Sequence, residues 1–252
     1  MNNIAFITGA TSGIGKATAH LLAANKWDLI INGRRNKLLL ELAEFIQNTT
    51  SSKVYPLIFD VRDRNQVNQA IDSLPNEWKK IDLLVNNAGL ASGFDPLNKG
   101  DFEDWEKMID TNIKGLLYVS RNIANLMIPL QKGQIINVSS IAGKETYPSG
   151  NVYCATKNAV EALTKGMRLD FLKYNIKVGS ISPGMVDTEF SLVRFHGDKE
   201  KASTVYSGFM PLSADDIAEA ILFMATRPEH VNIDDILIMP TAQGSARDVF
   251  RQ

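Results

Sequence analysis

The stretch Ile4-Ala5-Phe6-Ile7-Thr8-Gly9-Ala10-Thr11-Ser12-Gly13-Ile14-Gly15 decides the fold. Its first four residues are a short apolar run of strand length. The glycines follow the spacing Gly-x-x-x-Gly-x-Gly, and Ala17, Ala19, Leu21 and Leu22 continue in a helical pattern. Strand, glycine turn and helix in this order make a phosphate-binding corner. Glycines let the backbone approach an anion closely, and the first N–H groups of the helix face it. The spacing departs from the better-known Gly-x-Gly-x-x-Gly fingerprint, and a glycine turn by itself serves a purely structural bend equally well.

The rest of the chain repeats the alternation. Leu29-Ile30-Ile31, Val54 to Phe59, Leu83-Leu84-Val85, Ile135 to Val138, Lys177 to Ile181 and Ile236-Leu237-Ile238 read as buried strands. Helical stretches separate them: Lys37 to Gln47, Asn65 to Ser73, a long one from Phe102 to Met127, one through Val160, Leu163, Met167 and Phe171, and one from its cap Ser213 to Met224. Trp105, Ile109, Ile113 and Leu116 are expected on one buried stripe of the long helix. Strands alternating with helices need crossover connections. The pattern predicts an α/β fold, a doubly wound, mostly parallel sheet of about seven strands with helices on both faces. No repeat, low-complexity tract or composition shift divides the chain, so residues 1–252 are expected to form one domain. The span 185–211 has no clean period yet retains Phe190, Val193, Phe195 and Phe209, which favours a lid over substrate rather than disorder.

With 252 residues, 44% of them hydrophobic and 22% charged, the chain can bury a substantial core as an ordinary globular protein. Its net charge of -1, with no run of like charges, gives no electrostatic case for nucleic acid or an acidic membrane surface. Cys154 is the single cysteine and reads as a small buried filler. His20, His196 and His230 are scattered, lack the partners of a metal site and read as surface or capping residues, so no metal is expected. The chain enters Ile4 without a basic leader, and no segment approaches the roughly 20 apolar residues of a membrane span; a cytoplasmic location is expected.

Three places carry chemistry. The second strand ends at Asn32-Gly33-Arg34-Arg35. A dinucleotide fold that takes NAD has an acid near this point for the ribose hydroxyl, whereas an arginine accommodates a 2′-phosphate. Gly33 leaves the acidic place empty and Arg34 and Arg35 follow, which favours NADP over two merely solvated arginines. Ser140 stands at the carboxyl end of the fifth strand, where open α/β sheets bind ligands. Tyr153 and Lys157 follow at i and i+4 of a helix, one turn apart on the same face. A neighbouring ammonium favours phenolate, so the Tyr153 phenol is expected to be pulled from about 10 toward neutrality and to exchange a proton with an alcohol or carbonyl. Alone, this pair arises by chance in many helices. Asn112 falls inside the long helix, where an asparagine is either an ordinary polar surface position or a local break that frees a carbonyl to hold water.

Taken together, Thr8 to Gly15, Asn86-Asn87-Ala88-Gly89, Asn112, Ser140, Tyr153, Lys157, Pro183-Gly184 and Thr188 resemble the short-chain dehydrogenase/reductase family over essentially the whole chain. The resemblance implies a Rossmann-like sheet and a catalytic set of Asn112, Ser140, Tyr153 and Lys157. Tyr153 would be the general acid/base, Ser140 would orient the substrate oxygen, Lys157 would bind the nicotinamide ribose and Asn112 would hold a water of the proton relay. It also implies a cofactor site built from Gly9, Thr11, Ser12, Gly13, Ile14, Gly15, Arg34, Arg35, Asn87, Ala88, Gly89, Tyr153 and Lys157. Asp60 and Val61 would flank the adenine, and Pro183, Gly184, Val186 and Thr188 complete the set, Thr188 at the carboxamide.

A closer similarity is to the NADP-dependent branch of that family that acts on serine and other 3-hydroxy acids. It rests on Leu74 to Trp78, Asn86 to Gly93, Glu103 to Trp105, Met108 to Asn112, Gly150 to Tyr153, Thr188 to Ser191, Val193 to Phe195 and Pro228 to Asn232. The resemblance implies oxidation of serine, allo-threonine or 3-hydroxypropionate-type acids, or reduction of the matching semialdehydes, in a homotetramer. Such substrates carry a carboxylate that needs a cation or N–H donors. Arg194, in the lid, is the candidate beside Ser140 and Tyr153; a solvated arginine is the other reading. The same chemistry on a 3-oxoacyl thioester, a sugar or a diketone stays open, as does a non-catalytic cofactor-sensing protein.

Overall fold

The computed structural model describes residues 2–252. Seven strands form one sheet: β1 (Ile4–Ile7), β2 (Asp28–Gly33), β3 (Val54–Ile58), β4 (Leu83–Asn86), β5 (Gly133–Val138), β6 (Ile176–Pro183) and β7 (Asp235–Ile238). Their order is β3-β2-β1-β4-β5-β6-β7 and every pairing is parallel. Strands covered on both faces read as unbroken apolar runs, which is why Leu29-Ile30-Ile31 and Leu83-Leu84-Val85 were legible without alternation. The strand residues nevertheless alternate between two cores. Ala5, Ile7, Leu29 and Ile31 pack on one side with α1 (Gly13–Ala24), α2 (Asn36–Thr49) and α9 (Ala214–Ala225). Phe6, Ile30, Leu84 and Ile135 pack on the other with α3 (Arg64–Asp72), α5 (Leu116–Met127) and α6 (Asn151–Phe171).

Helix starts follow their caps. The Asp63 carboxylate accepts from the Asn65 and Gln66 N–H groups ahead of α3. Ser213 and Asp216 form a reciprocal capping box on α9, worth about 1 kcal/mol.

The expected long helix is interrupted. α4 (Phe102–Ile109) passes through a π-turn segment, Asp110–Gly115, before α5. The buried stripe also differs from the expected one from α4 onward: Asp104, Met108, Asn112 and Leu116 are buried, while Trp105, Ile109 and Ile113 are half-buried. The span 185–211 is more ordered than its sequence suggests and holds two short helices, α7 (Phe190–Arg194) and α8 (Lys199–Thr204). Strand order reverses between β1 and β4, and a crevice opens there at the carboxyl ends of the strands, the usual ligand position of such sheets. Among the described residues no helix is long and apolar enough to cross a membrane.

Candidate active site

A cleft of about 820 Å³ runs along those strand ends. One half is the glycine turn. Gly9 and Gly13 adopt φ of +66° and +51°, a left-handed backbone that favours glycine. Gly13 also lies under Thr188, since a Cβ there would meet Thr188 Cγ2 at 3.2 Å. Gly15 sits one layer behind the cleft, where a Cβ would be 2.4 Å from both the Gly9 carbonyl and Asn87 Nδ2. Its role in the structure is close packing of α1 against the glycine turn and Asn87. Asn87 Nδ2 donates to the Thr8 and Gly9 carbonyls, and Thr8 Oγ1 accepts from the Asn87 and Ala88 N–H groups. These bonds lock the glycine turn to the end of β4. Ser12 caps α1 in extended conformation without a side-chain bond to the helix, and no acid stands in the first turn. The leading N–H groups are therefore free to face an anion. Thr11, Ser12, Ile14, Ala88 and Gly89 line the same wall.

The residues fit a 2′-phosphorylated dinucleotide. A Cβ on Gly33 would lie 2.6 Å from Thr11 Cγ2, so the usual acidic position is sterically closed. Arg35 donates to Thr11 Oγ1 and Ser12 Oγ (2.7 Å), and pairs with Glu189 of the lid at 2.9 Å. Arg34 reaches Asp60 at 3.5 Å. Asp60 and Val61 line the cleft, and Asp60 is held chiefly by Arg62, at 2.6 Å. Burial works against its charge, yet the bonds from Arg62 and the Arg34 charge keep its carboxyl below the usual range.

The other half gathers Ser140, Tyr153 and Lys157. Ser140 Oγ accepts from the Ala142 N–H at 3.1 Å, which fixes the turn after β5. Lys157 is buried and its Nζ donates to the Val138 carbonyl at 2.9 Å. Asn112 does not line the cleft. Its amide donates to the Leu90 carbonyl (2.8 Å) and Thr156 Oγ1 (3.0 Å), and its Oδ1 accepts from the Leu90 N–H (2.9 Å). With its side chain so occupied, only its main chain, in the π-turn segment, is left for other partners.

The expected acidic tyrosine is corrected. Burial pushes the Tyr153 phenol well above its ordinary value, with Tyr147 adding to the effect, while the Ser140 hydroxyl and the Arg194 charge pull back only partly. The ammonium of Lys157 is itself desolvated, which pulls it down to about 8. In the folded protein, loss of water around Tyr153 outweighs the pull of the Arg194 charge and the Ser140 bond.

The segment 185–211 covers the end of the cleft beside Tyr153. The Arg194 guanidinium is 4.6 Å from the Phe94 ring centre, 5.7 Å from Tyr147 and 5.6 Å from Tyr153. Its Nη1 donates to the Tyr147 hydroxyl at 3.2 Å. Nε and Nη2 are buried without a hydrogen-bond partner among the described residues. The lid is tied to the body at His196, whose Nε2 lies 3.0 Å from Asp104, itself accepting from Ser92 Oγ at 2.6 Å. His196 is thus a surface residue, as read, whose ring nitrogen is hydrogen-bonded to the body.

Sequence reasoning missed Tyr147, Phe94, Glu189 and Gln243. Tyr147, between Ser140 and Tyr153, carried a positional signal; Gln243 carried none. Gln243 Oε1 accepts from the Met185 N–H at 2.8 Å and closes over Gly184. Pro183, Gly184, Val186 and Thr188 all line the cleft. Cys154 is buried, and no group of three or more metal-ligating side chains comes together among the described residues.

Comparisons with known proteins bear on this geometry. Residues 3–198 match the family model described as short chain dehydrogenase. An NADP-dependent 3-hydroxy acid dehydrogenase of Schizosaccharomyces pombe is 44% identical over 247 residues, 98% of this chain and 95% of that one. Sulfoacetaldehyde reductase 2 of Chromohalobacter salexigens is 42% identical over 244 residues, 96% of each. The closed form of a serine dehydrogenase complexed with NADP+ superposes with a TM-score of 0.93 at 41% identity, covering 99% of this chain and 100% of that one. The likeness therefore spans lid and sheet alike, and the chain belongs to the short-chain dehydrogenase family.

Proposed function

We propose that the protein is an NADP-dependent oxidoreductase acting on a small 3-hydroxy acid such as serine, allo-threonine or 3-hydroxypropionate, or reducing the matching semialdehyde. The observation that carries the substrate assignment is Arg194. A guanidinium with two buried, unpartnered N–H groups beside Tyr153 offers a planar fork that suits a carboxylate. The names of the similar proteins support the same class, since they act on 3-hydroxy acids, serine and an anionic aldehyde.

The cofactor is held by the glycine turn through Gly9, Thr11, Ser12, Gly13 and Ile14, with Arg34 and Arg35 at the 2′-phosphate and Asp60 and Val61 beside the adenine. Asn87, Ala88, Gly89, Pro183, Gly184, Val186 and Thr188 complete the cradle, with Gly15 supporting it from behind. When bound, the nicotinamide supplies or accepts the hydride.

The chain's own residues position the substrate and move the proton. Arg194 holds the carboxylate, Ser140 Oγ donates to the reacting oxygen, and Tyr153 delivers its proton to that oxygen in the reduction direction. A phenol kept neutral by burial is a competent donor at neutral pH. In oxidation the same oxygen must take the proton from the alcohol, which requires phenolate. Lys157, whose Nζ lies near Gly89, binds the nicotinamide ribose, and the Asn112 carbonyl holds a relay water.

Residues 1–252 act as one catalytic domain with 185–211 as its lid. Exposed Phe102, Leu169 and Leu172 on the outer helices and half-exposed Leu237 on the edge strand support assembly, which we take to be a homotetramer in the cytoplasm. An assay of serine, allo-threonine, 3-hydroxypropionate and 3-oxoacyl thioesters with NADP(H) tests the assignment. Turnover of the hydroxy acids is expected, and turnover of the thioesters alone would overturn it.

A further inference from the structure

Beneath the cleft lies a charged cluster that the reaction as described does not use. Glu161 is on α6 one turn after Lys157, so both side chains leave the same face of the helix. The two are buried, at 8% and 6% exposure. Glu161 Oε2 pairs with Lys144 at 2.6 Å, and its Oε1 accepts from Ser182 Oγ at 3.0 Å. Lys144 also pairs with Asp235 at 2.9 Å, and Asp235 accepts from Ser180 Oγ at 2.9 Å.

The cluster joins the Ser140 turn, α6, β6 and β7. Lys144 follows the Ser140 turn, Ser182 precedes Pro183 and Gly184, and Asp235 opens β7. Gly143 packs the turn onto the helix between the two residues: a Cβ there would come 2.9 Å from the Lys157 carbonyl and 3.1 Å from Glu161 Cγ. Two carboxylates share one ammonium, so the cluster is net negative.

We propose that Glu161 is a positioning residue for this cleft: supported by Lys144 and Asp235, it supplies the counter-charge that keeps the buried Lys157 side chain an ammonium. The inference rests on the proposed role of Lys157 at the cofactor ribose. Lys157 needs such support. It is sunk among apolar and main-chain atoms, and desolvation, the larger influence, pulls it down to about 8, opposed only by Glu161. The other titratable groups around the cleft do not serve: Asp60 and Glu189 are paired with Arg62 and Arg35 at the cofactor end. Tyr153, Tyr147 and Cys154 are neutral when protonated, and Arg194 and Lys144 carry like charge.

The test is the titration of Lys157 in protein labelled with 13C-lysine, its Cε resonance identified by its loss in Lys157→Arg, alongside the pH profile of kcat/KM. Glu161→Gln should lower the Lys157 midpoint by about one pH unit. Lys144→Gln, which removes a cation, should move it upward. A merely structural cluster would not give shifts of opposite sign. No shift in either variant, or shifts in the same direction, would overturn the proposal. Should Glu161→Gln not fold, Lys144→Gln decides alone, since only an upward shift agrees with it. If the resonance moves as expected while the kcat/KM profile stays fixed, the counter-charge stands and the role of Lys157 in the reaction fails instead.

Discussion

The guanidinium of Arg194 lies 5.6 Å from the ring centre of Tyr153, so the lid's cation and the most deeply buried phenol of the cleft share one pocket. The proposed carboxylate site and the proposed proton donor thereby lie within one small substrate's length. The Tyr147 hydroxyl holds Nη1 and leaves the Nε and Nη2 edge turned away from it.

Replacing Arg194 by leucine should raise KM for 3-hydroxypropionate by about 10- to 100-fold, the equivalent of about 1.5–3 kcal/mol for a bond to a charged group. KM for a neutral alcohol of the same size should change far less. Equal effects on both would remove the carboxylate from this position. Tyr147→Phe should act in the same direction but more weakly, since it loosens the guanidinium without deleting it.

Tyr153→Phe should lower kcat by about 10²- to 10⁴-fold, the usual worth of a positioned acid or base. NADPH affinity, followed by fluorescence titration, should stay within a few-fold of the parent protein. Turnover close to that of the parent would assign the proton to another group.

The direction of the tyrosine shift gives a pH dependence. Burial raises the phenol, so the proton-donating form persists across neutral pH, and phenolate is scarce there. Reduction of a semialdehyde should be flat around neutrality, whereas kcat for oxidation of the hydroxy acid should climb as pH rises from 7 toward 10. A flat oxidation profile over that range would mean that a group other than Tyr153 accepts the proton.

These outcomes mark what the sequence could and could not disclose. Strands buried on both faces leave unbroken apolar runs, so β1, β2, β4 and β5 were readable, and Tyr153 and Lys157 announce themselves by a helical interval. A local break at Asn112 was one of two readings open to the sequence, but its form, like the Tyr153 pKa, rests on tertiary surroundings. The rise of the Tyr153 pKa comes from loss of water around the ring, which no interval encodes. The π-turn at Asp110–Gly115 is stabilised by the bonds of Asn112 to Leu90 and Thr156, distant partners that a helical-wheel reading does not contain. The pairing of Arg35 with Glu189 joins residues 154 positions apart.

Asp104→Asn should loosen the lid. Asp104 holds Ser92 and His196 together, and although burial opposes its charge, those bonds keep its carboxyl below the usual range. A carboxyl so lowered stabilises the fold above its unfolded-state pKa and loses that contribution as pH falls through the folded-state value. The variant should unfold with about 1–3 kcal/mol less stability at pH 7, bind substrate less tightly, and differ less from the parent in acid. Thermal unfolding at pH 7 and in acid checks this; an unchanged gap at both would place the lid's anchor elsewhere.

Cofactor choice turns on how Arg34 and Arg35 are held. Arg35 is already tied to Thr11, Ser12 and Glu189, so a 2′-phosphate must share it with, or take it from, the lid carboxylate. Arg34 is more exposed and makes only a 3.5 Å contact to Asp60, leaving its donors available. Arg34→Asp therefore removes a free cation and adds a repelling anion, and should weaken NADPH by about 10- to 100-fold while changing NADH little. Glu189→Gln should have the opposite sign, a modest gain in NADPH affinity, because Arg35 loses its charged competitor. Both are read as the ratio of the two dissociation constants. If Arg34→Asp leaves that ratio unchanged, the phosphate rests on Arg35 and the helix N-terminus alone.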